Sequence, residues 1–406
     1  MKTLSWLLAA AAFGLAVQLL LRITTPAWPA HVPKAVAQSL ASYLIVAGLI
    51  AVALAVVAFQ RQPSTGMAIV SVVGLGAALL AGSYVGQVRA SQDSLVAAFG
   101  PGWEAHIPAE RAEAMLQARW RPTLPAGAKP RWEPDVVYAT VPGTGRELLV
   151  DVWQPPQGVA PSGLGLVYVH GGYYQMLEKD TGTRPLFRHL ARQGHVVVDV
   201  GYRLADETDL VGMVGDVKRA IAWLKDRAHS YDVDPQRIVV AGASSGGNLA
   251  LLAGYTPGHP QLTPDDVITD TTVRAVVAYY GVHDWPAFAR LPGDDTLARQ
   301  LFGGTLAEVP ERYALASPLT HVTADAPGTL LLQGRHDQQH LIDAGRTLEE
   351  ALGDAGARVA NVELARTDHA FDLMPPGLGP HSPPAISALY DLERFLAVIA
   401  HEPHPP

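Results

Sequence analysis

Val239-Val240-Ala241-Gly242-Ala243-Ser244-Ser245-Gly246-Gly247-Asn248-Leu249-Ala250 is the stretch on which the fold turns. An apolar, β-branched run enters a Gly-x-Ser-x-Gly turn, and a helix-forming run leaves it. A serine at so sharp a strand-to-helix turn has a strained backbone, and its neighbours must be small for the two chains to pass. Gly242 and Gly246 meet that need. The helix start directs backbone N–H groups and a positive dipole end at the serine. A shifted register would make Ser245 the nucleophile, between Ala243 and Gly247. Ala243 suits the turn less well than a glycine, which favours Ser244.

Strand and helix patterns alternate on both sides of this stretch. Strands are expected at 136–141, 147–153, 165–170, 195–202, 237–242, 273–280, 329–334 and 358–364. Helices are expected at 210–231, 248–253, 342–355 and 385–400. The later strands are short and wholly apolar, as in a parallel sheet covered on both faces. The pattern predicts one doubly wound, mostly parallel α/β domain over 131–402. An insertion near 284–325, with Trp285, Phe288, Leu301 and Phe302, reads either as a cap with an apolar pocket or as core.

Two further motifs stand at strand ends, where open α/β sheets place their ligands. His170-Gly171-Gly172-Tyr173-Tyr174 follows an apolar strand, and its glycines leave N–H groups free to approach a substrate oxygen. Downstream, Gly334-Arg335-His336-Asp337 and Asp368-His369-Ala370-Phe371 each follow a strand and supply a carboxylate and an imidazole. A metal site at His336, Asp337 and His340 is a rival reading. A loop position after a strand does not give the one-face spacing that a helix would.

Together these stretches, with Gly201-Tyr202-Arg203-Leu204, Asp234-Pro235-Gln236-Arg237-Ile238 and Ala316-Ser317-Pro318-Leu319, resemble the α/β-hydrolase superfamily, in particular the hormone-sensitive-lipase-like esterases. The resemblance covers about 131–400. It implies Ser244 as nucleophile, Asp337 as acid and His369 as base, with an oxyanion hole from the backbones of Gly171, Gly172 and Ser245. It implies hydrolysis of a small-molecule or lipid-like ester with no cofactor and no metal. Two positions depart from that branch. Tyr173 replaces a common third glycine, and Ala243 replaces a frequent aspartate. The His-Gly-Gly-Tyr form also resembles kynurenine formamidases, so an amide hydrolase stays open. So does a non-catalytic scaffold that kept the fold.

The chain has 406 residues, of which 49% are hydrophobic and only 17% charged. A soluble domain carries roughly 25% charged residues. The excess of apolar residues lies at the start, where 3–21, 35–59 and 67–85 are uncharged and largely apolar. A bilayer core of ~30 Å needs about 20 helical residues, so three transmembrane helices are expected within 1–88, with the lipid bilayer as partner. The first run reads alternatively as a cleaved signal peptide. Residues 89–130 read as a junction, with a helix expected from Pro108 to Trp120, and Trp103 and Trp120 set either at the headgroups or on the domain surface. Every catalytic motif lies beyond Arg131, so a chain beginning there is expected to be soluble and active. Residues 1–88 hold four basic residues and no acidic one, whereas the whole chain has a net charge of −8. The acidic body argues against a nucleic-acid partner. With no cysteine, disulfides and thiolate chemistry are excluded. Membrane side and oligomeric state are written in no motif.

Overall fold

The computed structural model describes residues 2–22, 28–88, 94–121, 124–291, 295–337, 341–372 and 382–402. Eight strands form one sheet: β1 (Arg131–Thr140), β2 (Glu147–Gln154), β3 (Gly163–Val169), β4 (Val196–Val200), β5 (Val233–Ala243), β6 (Ala275–Tyr279), β7 (Gly328–Gly334) and β8 (Val359–Leu364). Their order is β1-β2-β4-β3-β5-β6-β7-β8. β2 runs antiparallel to β1 and to β4, and the remaining pairs are parallel. The direction of winding reverses between β3 and β5, which are neighbours in register Val169↔Gly242. That reversal opens a crevice at the carboxyl ends of these two strands.

Each face of the sheet carries a core. One buries Val214, Val217 and Ile221 of the helix Leu210–Asp226 against Val167, Val198 and Val240. The other buries Phe395, Leu396 and Ile399 of the helix Pro383–His401. Leu95, Trp103 and Leu116 of the junction belong to this second core. The helix after Pro108 is shorter than the sequence suggested, Ala109–Ala114. Leu116 then turns into the core, and its N–H is met by the Glu393 carboxylate at 2.6 Å instead of by a helical carbonyl. Trp103 is buried rather than at an interface.

The insertion after β6 is built of the short helices Trp285–Phe288, Thr296–Phe302 and Pro310–Leu315. Trp285, Leu301 and Phe302 are buried in the first core, with Trp285 and Phe302 rings 4.9 Å apart and Phe302 and Tyr313 rings 4.3 Å apart. These side chains serve as core; Phe288 is only partly buried against it.

Three helices precede the junction: α1 (Lys2–Gln18), α2 (Trp28–Arg61) and α3 (Thr65–Val88). Gly48 and Gly74 let the α2 and α3 backbones touch; a Cβ on Gly48 would stand 2.5 Å from Gly74 O. Pro33–Arg61 and α3 are long and apolar enough to cross a membrane. The expectation of three such helices is corrected to two, because α1 has 17 residues. At 1.5 Å per residue it reaches ~25 Å, short of a hydrocarbon core of ~30 Å.

Candidate active site

Ser244 sits between β5 and the helix Ser245–Tyr255 with φ 56° and ψ −121°, a conformation that L-residues avoid. The strain is held from both sides. Ser244 N–H donates to Tyr279 O of β6 at 2.9 Å, and Ser244 O accepts from Gly247 and Asn248 N–H at 3.0 and 3.2 Å. Ser245 opens the helix, so its N–H has no intrahelical acceptor.

Gly171 lies against this turn. A Cβ there would stand 2.8 Å from Ala243 O and 3.2 Å from Ser244 Cβ. Gly172 follows at φ +126°, where a Cβ would collide with Met176 O at 2.0 Å. Tyr173 and Tyr174 continue with φ 54° and 62°. Three successive residues at positive φ curl the chain back directly after Gly171, which lies beside Ser244.

Buried side chains fix the curl. His170 Nδ1–H donates to Gly171 O at 2.7 Å, and its ring stacks on Tyr202 at 4.4 Å. Burial pushes the His170 imidazole down to about 4, so it is neutral around pH 7. Tyr202 OH donates to His170 O at 3.1 Å. Tyr174 OH donates to Asn248 Oδ1 at 3.0 Å, and Asn248 Nδ2 donates to Val282 O and Ala316 O at 2.8 and 3.2 Å. Asn248 thus ties the helix after Ser244, the glycine loop and the insertion together. Sequence reasoning used Asn248 and Tyr174 only as parts of motifs. Their joint role is visible once the fold brings positions 74 residues apart into contact.

Asp337 lies in the turn after β7, its N–H donating to Gly334 O at 3.1 Å. His369 lies in the loop after β8. His369 Nδ1 stands 2.8 Å from Asp337 Oδ2, and its Nε2 stands 2.9 Å from Ser244 Oγ. Asp337 is 5% exposed and His369 9%. The Tyr280 ring packs on the imidazole at 4.4 Å, and its hydroxyl donates to Asp372. With Nδ1–H on Asp337, the Nε2 lone pair faces the serine hydroxyl. The six expected site residues, Ser244, Asp337, His369, Gly171, Gly172 and Ser245, therefore meet at one end of the sheet. His340 of the rival metal reading lies outside the described residues. Among the described ones no cluster of three or more metal-ligating side chains occurs.

Comparison with known proteins bears on the family and the fold. Residues 150–352 match the family BD-FAE. A probable carboxylic ester hydrolase, LipM of Mycobacterium tuberculosis, is 33% identical over 64% of this chain and 60% of its own length. Esterase LipQ of the same organism is 32% identical over 69% of this chain and 68% of its own length. The chain thus spans about 60% of the length of the first of these relatives. A truncated carbohydrate esterase from gut microbiota superposes with a TM-score of 0.58, covering 68% of this chain and 99% of that one at 21% identity. That likeness is one of fold, the α/β-hydrolase fold with its mostly parallel sheet.

Proposed function

The chain belongs to the BD-FAE family, and on that footing we propose that it is a serine carboxylesterase working through an acyl-enzyme. The observation that carries this reading is the hydrogen-bonded series Asp337–His369–Ser244 beside the Gly171–Gly172 curl. A serine hydroxyl needs an adjacent base to attack at neutral pH. His369 Nε2 takes the Ser244 proton as Oγ adds to the ester carbonyl carbon. Asp337 holds the tautomer and stabilises the imidazolium. The tetrahedral oxyanion accepts from the N–H groups of Ser245 and of Gly171 or Gly172, each donor being worth roughly 3–4 kcal/mol in the transition state. Collapse expels the alcohol, which leaves with the proton from His369. Water, deprotonated by the same nitrogen, then releases the acid and restores Ser244. The cycle uses no metal and no organic cofactor.

The esterase names of the relatives favour a small-molecule or lipid-like ester over the formamide that the His-Gly-Gly-Tyr form left open. We further propose that α2 and α3 anchor the enzyme in a bilayer. Exposed side chains on them include Val46, Leu49, Ile50 and Val56 of α2, and Ile69, Val72, Leu75 and Leu79 of α3. So wide an exposed apolar surface is unusual for a soluble protein.

The test is labelling with a fluorophosphonate probe, followed by turnover of p-nitrophenyl butyrate and N-formylkynurenine side by side. Labelling at Ser244 and a higher kcat/KM for the ester are expected. No labelling would remove the serine-hydrolase reading, and a preference for the formamide would replace ester with amide.

A further inference from the structure

The first half of α2 carries Lys34, Gln38 and Ser42, four residues apart and so on one face of the helix. All three are buried. Ser42 Oγ accepts from Trp120 Nε1 at 3.2 Å. Lys34 Nζ donates to Asp368 Oδ1 at 2.8 Å and to Leu21 O at 2.5 Å. Gln38 Nε2 donates to Arg366 O at 3.4 Å. One turn of α2 thus grips residues 366 and 368, and the next residue is His369. From the other side the same loop is met by His336 N–H, which donates to Thr367 O at 2.9 Å.

A buried lysine is an expensive way to dock a helix. The Lys34 side chain is 0% exposed and that of Asp368 6%, and desolvating two charges costs several kcal/mol per ion, so apolar contacts would dock α2 at least as well. What the pair adds is direction. It fixes the residue before His369, whose two ring nitrogens must reach partners on two separate elements.

We propose that Lys34 is a positioning residue for His369: its ion pair with Asp368 holds the loop so that the imidazole stays aligned between Asp337 and Ser244, and the amino-terminal helices complete the active site as well as carry it. This rests on the serine-hydrolase reading above.

The test uses the full chain in detergent micelles, with p-nitrophenyl butyrate for turnover and a fluorophosphonate for the rate of Ser244 labelling. The variants are Lys34→Met, Asp368→Asn, the double variant, and Lys34→Arg. Loss of alignment should lower kcat roughly ten- to hundredfold in the first three, with KM within about twofold, and Lys34→Arg should recover most of it. The pH profile separates alignment from bulk stability. Lys34→Met takes a positive charge away from beside Asp368 and the imidazole, favours the imidazolium, and moves the acid limb of kcat/KM to higher pH. Asp368→Asn leaves the lysine charge and moves the limb to lower pH. The double variant removes both, so its limb stays in place while its kcat stays low. The other charged or titratable groups around the loop, Asp337, His336, Arg22, Arg366, Tyr84 of α3 and Asp372 with Tyr280, are the same in every variant. If the single variants fail to fold, the double variant decides, because it removes both charges of the pair together. Wild-type kcat and labelling rate in the double variant would overturn the proposal, as would folded single variants whose acid limbs do not separate. If the wild-type chain is not labelled at all, the hydrolase reading has failed instead.

Discussion

Gly246 and Val169 meet so closely that a Cβ on the glycine would stand 2.1 Å from the valine carbonyl oxygen. The same atom would lie 2.4 Å from His170 O. Both obstacles are backbone at the end of β3, so no rotamer change can relieve them. The contact locks the serine turn to the strand that launches the glycine loop. Gly246→Ala should therefore lower stability by roughly 1–3 kcal/mol or more and reduce activity in whatever folds. Urea denaturation and esterase turnover measure the two effects; an unchanged midpoint would show that the start of the helix and the end of β3 can part at no cost.

The serine turn separates Ser244 from Ser245 by a single position but by two kinds of chemistry. Ser244→Ala should remove ester hydrolysis by roughly 10³-fold or more and abolish fluorophosphonate labelling. Ser245→Ala should keep most of the activity, because only its backbone N–H is asked to act. Exchange of the two phenotypes would mean that the shifted register is the right one.

Much of this was legible in the chain. All eight strands and the helices Leu210–Asp226, Ser245–Tyr255, Leu341–Asp354 and Pro383–His401 lie within a few residues of their expected places, because each has a clear apolar period and a turn signal. The three strand-end motifs converge because a parallel sheet puts every carboxyl end on one edge. The helix Arg184–Arg192 was not foreseen: it is short and strongly charged, and only Leu186, Phe187, Leu190 and Ala191 mark its inner face. The Lys34–Asp368 pair left no local trace at all. Lys34 reads as one charge flanking an apolar run, and its partner is 334 residues away. The same holds for Trp103 and Leu116, whose burial depends on the sheet and the last helix rather than on their neighbours.

Acid should destabilise the protein, through histidines that folding keeps neutral. Burial pushes His170, His283 and, with Lys34 nearby, His336 down to about 4, and, with Arg111 nearby, His195 to about 3. Unfolded histidine titrates near 6.5. Their contribution is therefore full above pH 6.5 and is lost as pH falls toward 4, where the unfolded chain takes up protons that the folded one refuses. Asp199 works in the opposite sense. Burial, helped by Asp151, raises it to about 8, so its effect favours the fold at low pH and fades as pH rises from 4 to 8. Four groups outweigh one in the acid range, and between pH 6.5 and 8 the Asp199 effect remains after the histidines have lost their protons. Melting temperature should peak near neutrality. His283→Leu should flatten the acid slope by about a quarter, and Asp199→Asn should flatten the alkaline one. A melting temperature that rises steadily from pH 7 to pH 4 would contradict the burial of these histidines.

The amino-terminal region makes separate demands on the membrane and on the fold. Carbonate extraction strips peripheral proteins from membranes and leaves spanning helices behind. The full chain, with α2 and α3 long and apolar enough to cross, should stay in the pellet. A chain beginning near Arg131 retains every catalytic motif, and on the motifs alone it should work. The fold predicts otherwise. That cut removes Leu95, Trp103 and Leu116 from the second core, parts the Phe99 and Phe395 rings now 5.6 Å apart, and takes Arg119 from the buried Asp391. Losing three large core side chains at roughly 2–5 kcal/mol each amounts to about the whole usual margin of a domain, roughly 5–15 kcal/mol. The short chain should aggregate or melt at low temperature. A chain beginning near Ser94 keeps those contacts and should be extractable and folded, but without Lys34 and Gln38 its kcat should fall while KM holds. Extraction of the full chain by carbonate would remove the bilayer from the proposal. A stable and fully active chain from Arg131 would show that residues 94–121 decorate the domain rather than build it.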